Sequence, residues 1–435
     1  MADNGMRGCV AERTAALARA FGVPGFAVAL IGGGRRERFT WGVDAAHAER
    51  AVGGSTWFQA ASAGKHVTAV TVLDLAARGR IDLAAPIGDW LPDAPRAWGG
   101  RSVRSLLHHT SGLPDYLAQP GDGAVPDNRA AFMSRYAAMM PIAAEGDAWS
   151  YSNTNYILLG FLVAAVAGKP CGVVMEALLA RAGVSDAAIA SPDWVRAANA
   201  EGRGPAARDA ASATRAVIGD GDVAFTAAGA EAWLRVLAEG ALDPAVGVEL
   251  LRPATLVNGD APYGCGLFLD RLGGVPTAWH GGHFDGWTAM LYVHPGAGTG
   301  VFAMCNLAPG NTRAIRAIAL GALEAFAPGT TPLSLAPIAD RAPAFSAIVA
   351  RELFRNGRAP DRARFAPALR VAIDRGGTRG VLDLWAGEMP RLALVEEWGE
   401  PARTMRRYRM TYPDRVEHVA VGMTADGLID WAWPL

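Results

Sequence analysis

Lysine is almost absent from this chain of 435 residues, which has 39 arginines and only two lysines, Lys65 and Lys169. Basic and acidic residues nearly cancel, and the formal net charge of -1 excludes a basic surface for nucleic acid or acidic lipid. Arginine stays protonated in proteins, whereas a buried lysine can lose its proton. A site that retains an amine in so arginine-rich a chain therefore indicates a chemical role for that amine.

Cysteine and long apolar runs are also scarce. The four cysteines are scattered and form no C-x-x-C pair, which argues against a zinc ribbon, a redox motif or a disulfide framework. The longest apolar run, residues 156–168, is shorter than the roughly 18 residues typical of a membrane-spanning helix. The N-terminus lacks the charged head and apolar core of a signal peptide. We therefore expect a cytoplasmic protein that binds neither nucleic acid nor membrane.

Apolar residues make up 51% of the chain and charged residues 19%, so extended disorder is excluded. A proline-rich stretch without periodicity, residues 327–343, predicts a domain boundary near residue 335. Residues 1–335 form the first predicted domain, with mostly helical patches between about 80 and 258. Residues 336–435 form a small α+β domain without recognisable catalytic residues.

Hydrophobic periodicity and glycine-rich turns predict the main elements of both domains. In the first domain they predict helices at 10–21, 63–78, 157–166 and 312–326, and strands at 26–31, 38–43, 263–270, 277–281, 287–294 and 300–306. In the second they predict helices at 344–355 and 363–373, and strands at 381–385, 392–397, 406–412, 416–423 and 428–433. The arginine cluster Arg403, Arg406, Arg407 and Arg409 is predicted to be a solvated strand face.

Ser62 and Lys65 form a Ser-x-x-Lys motif at the start of a predicted helix, where residues i and i+3 share a face. The positive end of the helix and its free N–H groups would then point at the serine. A serine hydroxyl is a weak nucleophile until a neighbouring base removes its proton, and a lysine can be that base. The alternative is a capping serine beside a solvated lysine. Lys169, at a helix end, is predicted to be a solvated cation.

Two further segments carry candidate polar groups. Tyr151 and Asn153 precede an apolar helix, where a phenol near a cation can act as an acid or base and an amide can bind a substrate amide; the alternative is a helix cap. His280, between a strand and a glycine pair, can donate a hydrogen bond, and a backbone N–H after Gly281 and Gly282 can stabilise an oxyanion. For His280 the alternative is an ordinary turn histidine.

These three segments, in this order, resemble the serine β-lactamase and penicillin-recognising enzyme superfamily. The resemblance is greatest to the branch of class C β-lactamases, D,D-carboxypeptidases, D-aminopeptidases and esterases. Residues 24–29 and 79–83, the stretch Leu106 to Pro114, and Asn306 also match, so the resemblance covers about residues 10–326. It implies an α/β fold: an antiparallel sheet flanked by helices with a helical subdomain. To this the C-terminal α+β domain is added.

The resemblance implies a role for each matched residue. Ser62 would be acylated, Lys65 would help deprotonate it, and Tyr151 would serve as general base in one half-reaction and general acid in the other. Asn153 would bind the acyl-side amide of the substrate. Gly281, Gly282 and His283 would also bind substrate, with the N–H groups of Ser62 and His283 as the oxyanion hole. His108 and His109 belong to a structural signature, and neither metal nor organic cofactor is implied.

His280 stands where β-lactamases carry the lysine of Lys-Thr-Gly, and a histidine is mostly neutral near pH 7. This difference disfavours efficient penicillin hydrolysis. The sequence therefore predicts a serine hydrolase for amide bonds of small peptides or amides, with a D-residue at the scissile bond. The alternatives are a carboxylesterase, an acyltransferase or peptide cyclase of secondary metabolism, and a non-catalytic scaffold on the same fold.

Overall fold

The computed structural model describes most of the chain. The described residues are 2–44, 50–118, 125–192, 194, 217–257, 259–284, 286–307, 312–354, 358–374, 389–400, 402–413 and 415–434. Their strands are β1 (Gly25–Gly32), β2 (Arg35–Gly42), β3 (Phe58–Gln59), β4 (Ala187–Ile189), β5 (Val223–Phe225), β6 (Ala254–Leu256), β7 (Gly259–Ala261), β8 (Phe268–Leu272), β9 (Val275–Phe284), β10 (Trp287–His294), β11 (Thr299–Cys305), β12 (Arg391–Glu400), β13 (Arg403–Thr411), β14 (Val416–Thr424) and β15 (Ile429–Pro434).

A six-stranded antiparallel sheet in the order β2-β1-β11-β10-β9-β8 forms the centre of the larger unit. The β1–β2 hairpin turns at Gly33 and Gly34, whose φ angles of 59° and 74° lie in the left-handed region that glycine tolerates. Strands β1 and β10 are buried along their whole length because helices cover both faces of the sheet. Short sheets β3-β5-β4 and β6-β7 lie outside it.

Helices cover the sheet on both sides. The described helices are α1 (Ala2–Ala20), α2 (Lys65–Ala77), α3 (Arg96–Gly99), α4 (Val103–Leu107), α5 (Arg129–Tyr136), α6 (Asn153–Ala167), α7 (Cys171–Arg181), α8 (Ala227–Ala238), α9 (Pro244–Leu250), α10 (Thr312–Phe326), α11 (Pro343–Leu353) and α12 (Pro367–Asp374). Alternate residues of β1 join different cores, because side chains in a strand alternate between its faces. Phe26 and Val28 lie in the core that contains α1 and α10, and Ala27 and Ala29 lie in the core on the other face, where α8 packs on the strand.

The apolar helix α6 lies inside this core rather than at a surface. Most of its residues are buried, as expected for a helix that is apolar on every face. Among the described residues no single helix is long and apolar enough to cross a membrane, and one bent pair, α6 with α7, has the length and composition for it.

The C-terminal residues form a separate four-stranded antiparallel sheet, β12-β13-β14-β15, that packs with α11 around its own core. The α/β fold with an added C-terminal sheet domain is therefore confirmed. Most predicted elements are present with shifted ends; the predicted strand at 263–270 begins only at Phe268, and that at 381–385 lies outside the described residues.

The prediction of a solvated arginine face on β13 is wrong, because Arg406 is 0% and Arg407 is 1% exposed. Adjacent strand residues point to opposite faces, and each arginine meets carboxylates on its own side. The partners of Arg406 are Asp340 at 2.6 Å and Glu397 at 2.8 Å. Glu397 lies opposite Arg406 in the β12–β13 hairpin, whereas Asp340 is 66 residues away, and periodicity cannot reveal so distant a partner.

Candidate functional site

Ser62 lies on a single 3₁₀ turn, Ala61–Gly64, directly before α2. The sequence places it at the start of the helix itself; the structure instead makes Lys65 the first α-helical residue. Ala61 has a φ of 47°, a left-handed conformation that costs energy for a residue with a Cβ. This strained turn projects Ser62 toward a cleft while Lys65 stays fully buried behind it.

The Lys65 amine has three hydrogen-bond partners. Its Nζ lies 3.0 Å from Ser62 Oγ, 2.7 Å from Asn153 Oδ1 and 2.5 Å from the Asp220 carbonyl oxygen. The last two oxygens can only accept, whereas the Ser62 hydroxyl can accept from the amine and can also donate a proton to it. Ser62 is therefore the one partner of the three that can exchange a proton with Lys65.

Asp115 is a site residue that the sequence did not single out, although it directly follows the Leu106–Pro114 signature. Its carboxylate accepts from the Leu117 N–H at 3.1 Å and from Asn153 N and Nδ2 at 3.3 and 2.9 Å. Burial raises the pKa of Asp115, and the Leu117 N–H and the Lys65 charge oppose the shift. An acceptor-only carboxylate holds the Asn153 amide nitrogen on its side, and therefore turns the Asn153 oxygen toward Lys65.

Tyr151 is packed among aromatic side chains. Its hydroxyl is buried, makes no hydrogen bond of ordinary geometry to the described residues, and interacts with the side chains of Lys65 and Ser62. Its ring lies 4.5 Å from that of His109, and Lys65 Nζ lies 5.1 Å from its centroid. Burial raises the pKa of Tyr151, outweighing the positive charge of Lys65, so the side chain is a neutral phenol near pH 7.

His280 is buried on β9, where burial first and the Lys65 charge second lower its pKa to about 3. Its Nδ1 lies 2.6 Å from the Gly281 carbonyl oxygen and its Nε2 lies 3.3 Å from the Tyr263 hydroxyl. The imidazole is therefore neutral at physiological pH and offers no fixed charge to a substrate carboxylate.

Strand β9 packs directly on the nucleophile turn at Gly282. A Cβ at this position would lie 2.0 Å from the Ala60 carbonyl oxygen and 2.9 Å from Ala63 N, whereas a Cβ at Gly281 would meet only Ala289 O, at 3.9 Å. Glycine at 282 is thus required by the close approach of strand and turn.

Gly282→Ala is expected to destabilise the protein by about 1–3 kcal/mol, the usual cost of overpacking. Gly281→Ala, one residue away on the same strand, is expected to change stability much less, because space is available. Thermal unfolding of both variants measures the difference. Equal melting temperatures would contradict the close packing of β9 on the turn.

A small polar cleft of about 100 Å³ opens in front of these groups. Its described lining residues are Gln59, Ala61, Ser62, Leu117, Asn153, Asp220, Gly221, Asp222, His283 and Phe284. Of the predicted site residues, Ser62, Asn153 and His283 line this cleft, and Lys65, Tyr151 and His280 lie in the buried wall behind it. Among the described residues, no group of three or more His, Cys, Asp or Glu side chains can hold a metal ion.

The buried histidines predict acid sensitivity. Burial lowers the pKa of His66 and His108 to about 4 and that of His418 to about 3. Below pH 6.5 the unfolded chain binds protons that these folded imidazoles reject, so the folded state loses stability as the pH falls. The loss approaches about 1.4 kcal/mol per pH unit for each such histidine. Urea unfolding between pH 6.5 and 5 measures this slope, which His418→Gln should reduce; a flat profile would contradict it.

Sequence comparisons place this geometry in a family. The family model described as Beta-lactamase matches residues 10–326. A β-lactamase of Providencia stuartii is 28% identical over 36% of this chain and 40% of its own length. Esterase EstB of Burkholderia gladioli is 34% identical over 29% of this chain and 36% of its own length. A D-aminopeptidase of Brucella canis is 26% identical over 62% of this chain and 54% of its own length.

Solved structures extend the likeness to the fold. A D-stereospecific amidohydrolase from Streptomyces sp. is 26% identical, with a TM-score of 0.55 over 70% of this chain and 96% of its own. An octameric penicillin-binding protein homologue from Pyrococcus abyssi, at 17% identity, shares the fold over 95% of this chain and 90% of its own, with a TM-score of 0.62. The matched segment holds all the residues of the site described above, and the chain therefore belongs to the β-lactamase family of serine hydrolases.

Proposed function

We propose that this protein is a serine hydrolase that acts through an acyl-enzyme on amide bonds of small peptides or amides with a D-residue at the scissile bond. The observation that carries the proposal is the 3.0 Å contact between Lys65 Nζ and Ser62 Oγ, with acceptor-only oxygens at the other two partners of the amine. In this arrangement a neutral lysine can accept the serine proton.

In acylation, Ser62 Oγ attacks the substrate carbonyl carbon and its proton moves to Lys65. The carbonyl oxygen becomes an oxyanion that the N–H groups of Ser62 and His283 would stabilise. One Asn153 amide hydrogen is bonded to Asp115, and the other can hold the acyl-side carbonyl of the substrate.

The tetrahedral intermediate then collapses. Its carbon–nitrogen bond breaks, the neutral Tyr151 phenol gives its proton to the leaving amine, and the Lys65 ammonium restores that proton to Tyr151. In deacylation a water molecule attacks the ester carbon and loses a proton to the same groups, and Ser62 is released with its hydroxyl regenerated.

Two considerations support a D-configured amide as the substrate. The chain is similar to a D-aminopeptidase over 286 residues and to a D-stereospecific amidohydrolase over 70% of its length. His280 is neutral where β-lactamases carry a lysine, which removes the fixed charge that a penicillin carboxylate would use. We therefore propose amide hydrolysis in preference to penicillin hydrolysis.

The direct test compares the p-nitroanilides of D-alanine and L-alanine with p-nitrophenyl butyrate, with Ser62→Ala as the control. Faster release from the D-anilide, lost in Ser62→Ala, supports the proposal. Turnover of the ester alone would assign a carboxylesterase and overturn it. Fluorophosphonate labelling of Ser62 without hydrolysis of any substrate would favour an acyltransferase, and no labelling would indicate a non-catalytic scaffold.

A further inference from the structure

The C-terminal sheet contacts the aromatic residues behind Tyr151. Trp149 is 95% buried, and its ring lies 6.4 Å from Tyr151 and 6.1 Å from His109, the ring on which Tyr151 packs. On its other side Trp149 meets two tryptophans of β15, Trp431 at 5.0 Å and Trp433 at 5.4 Å. The last strand of the C-terminal domain, β15, thus forms part of the aromatic packing around Tyr151.

The same strand also supports His280 through a second ring. Phe268, the first residue of β8, lies 5.3 Å from the His280 imidazole and 4.6 Å from Trp433. Trp433 therefore contacts both Trp149, behind Tyr151, and Phe268, behind His280.

A buried ion pair fixes β8 to the C-terminal sheet. Arg407 on β13 donates to Asp270 Oδ1 at 2.6 Å and to the Arg271 carbonyl oxygen at 2.8 Å, and both charged side chains are at most 5% exposed. Two buried charges tolerate little displacement, because separating them leaves each unpaired in a low dielectric. The ion pair therefore helps to keep the C-terminal sheet, which carries the two tryptophans, in place against β8.

We propose that Trp433, with Trp431, positions Tyr151 and His280 for the reaction, so that the C-terminal domain is a structural part of the active site. Neither tryptophan touches substrate, and the described residues that line the cleft include none from this domain. Tyr151 depends on this support because its ring is held by contacts with other aromatic rings, 4.5 Å from His109 and 6.4 Å from Trp149. The proposal rests on the proposed acyl-enzyme at Ser62.

The test measures hydrolysis of D-alanine p-nitroanilide by the full-length chain as a function of substrate concentration, because release of the amine requires the proton that Tyr151 donates. Trp433→Ala should lower kcat by about 10- to 100-fold, as expected for misplacement of catalytic groups by a fraction of an ångström. The KM should stay unchanged, because the cleft is intact. Trp433→Phe should restore most of the rate, and Trp433→Leu, which fills the volume without an aromatic ring, should not.

Phe345→Leu is the matched control, since Phe345 is buried in the core of the C-terminal domain but is not part of the aromatic cluster. It should lower the melting temperature without changing the kcat of the folded protein. If wild type hydrolyses the anilide and folded Trp433→Ala and Trp433→Leu hydrolyse it equally fast, the positioning role is wrong. If wild type itself does not hydrolyse the anilide, the proposed function fails instead.

Discussion

Replacing Lys65 by arginine is expected to lower the rate of Ser62 acylation by about 10²- to 10⁴-fold, the contribution typical of a positioned general base. Arginine retains the positive charge but cannot give up its proton, so it cannot accept the proton of Ser62. The measurement is the rate of acyl-enzyme formation, followed by the mass of the intact protein. Acylation at the wild-type rate would refute the assigned role of Lys65.

Two further variants distinguish a loss of acylation from a loss of the folded structure. Lys65 is fully buried, so the larger guanidinium has little room; Lys65→Met has similar length without a charge and should lose acylation as well. Lys169→Arg is the matched control, since Lys169 is exposed just beyond the end of α6. It should leave both acylation and the melting temperature unchanged.

Tyr151→Phe is expected to leave the fold intact while lowering amide hydrolysis by about 10²- to 10⁴-fold. The hydroxyl is buried and makes no hydrogen bond of ordinary geometry to the described residues, so its removal should change stability little. Activity should fall because the phenol, kept neutral by its raised pKa, is the proposed proton donor to the leaving amine.

The substrate itself supplies the control for Tyr151→Phe. An amine must be protonated to leave, whereas p-nitrophenolate leaves without a proton. Hydrolysis of the anilide should therefore fall much further than that of p-nitrophenyl butyrate. An equal loss on both substrates would indicate that Tyr151 acts on the nucleophile and not on the leaving group.

Much of the site could be predicted from local sequence. The spacing of Ser62 and Lys65 places both on one turn whatever surrounds them, and the scarcity of lysine marks Lys65 as chemically required. The hairpin at Gly33 and Gly34 follows in the same way from glycines between two apolar runs. These features involve residues only a few positions apart. The local backbone conformation alone fixes how such residues lie relative to one another.

Other features depend on contacts between distant segments. Asp115 orients Asn153 across 38 residues, and the Asp220 carbonyl reaches Lys65 across 155 residues. The arginines of β13 resemble a solvated face until Asp270 and Asp340 are brought to them by packing. No pattern along the chain reports such partners, because the backbone between them is free to take many paths.

The sequence by itself predicted the fold and singled out Ser62, Lys65 and Tyr151, since each lies in a short motif with fixed spacing. Only the tertiary structure decided the protonation of Tyr151 and His280. Burial keeps Tyr151 and His280 neutral, and a carboxylate behind Asn153 turns its oxygen toward the lysine. Tertiary packing also placed the tryptophans of β15 behind the catalytic wall, because burial and contact exist only once distant segments come together.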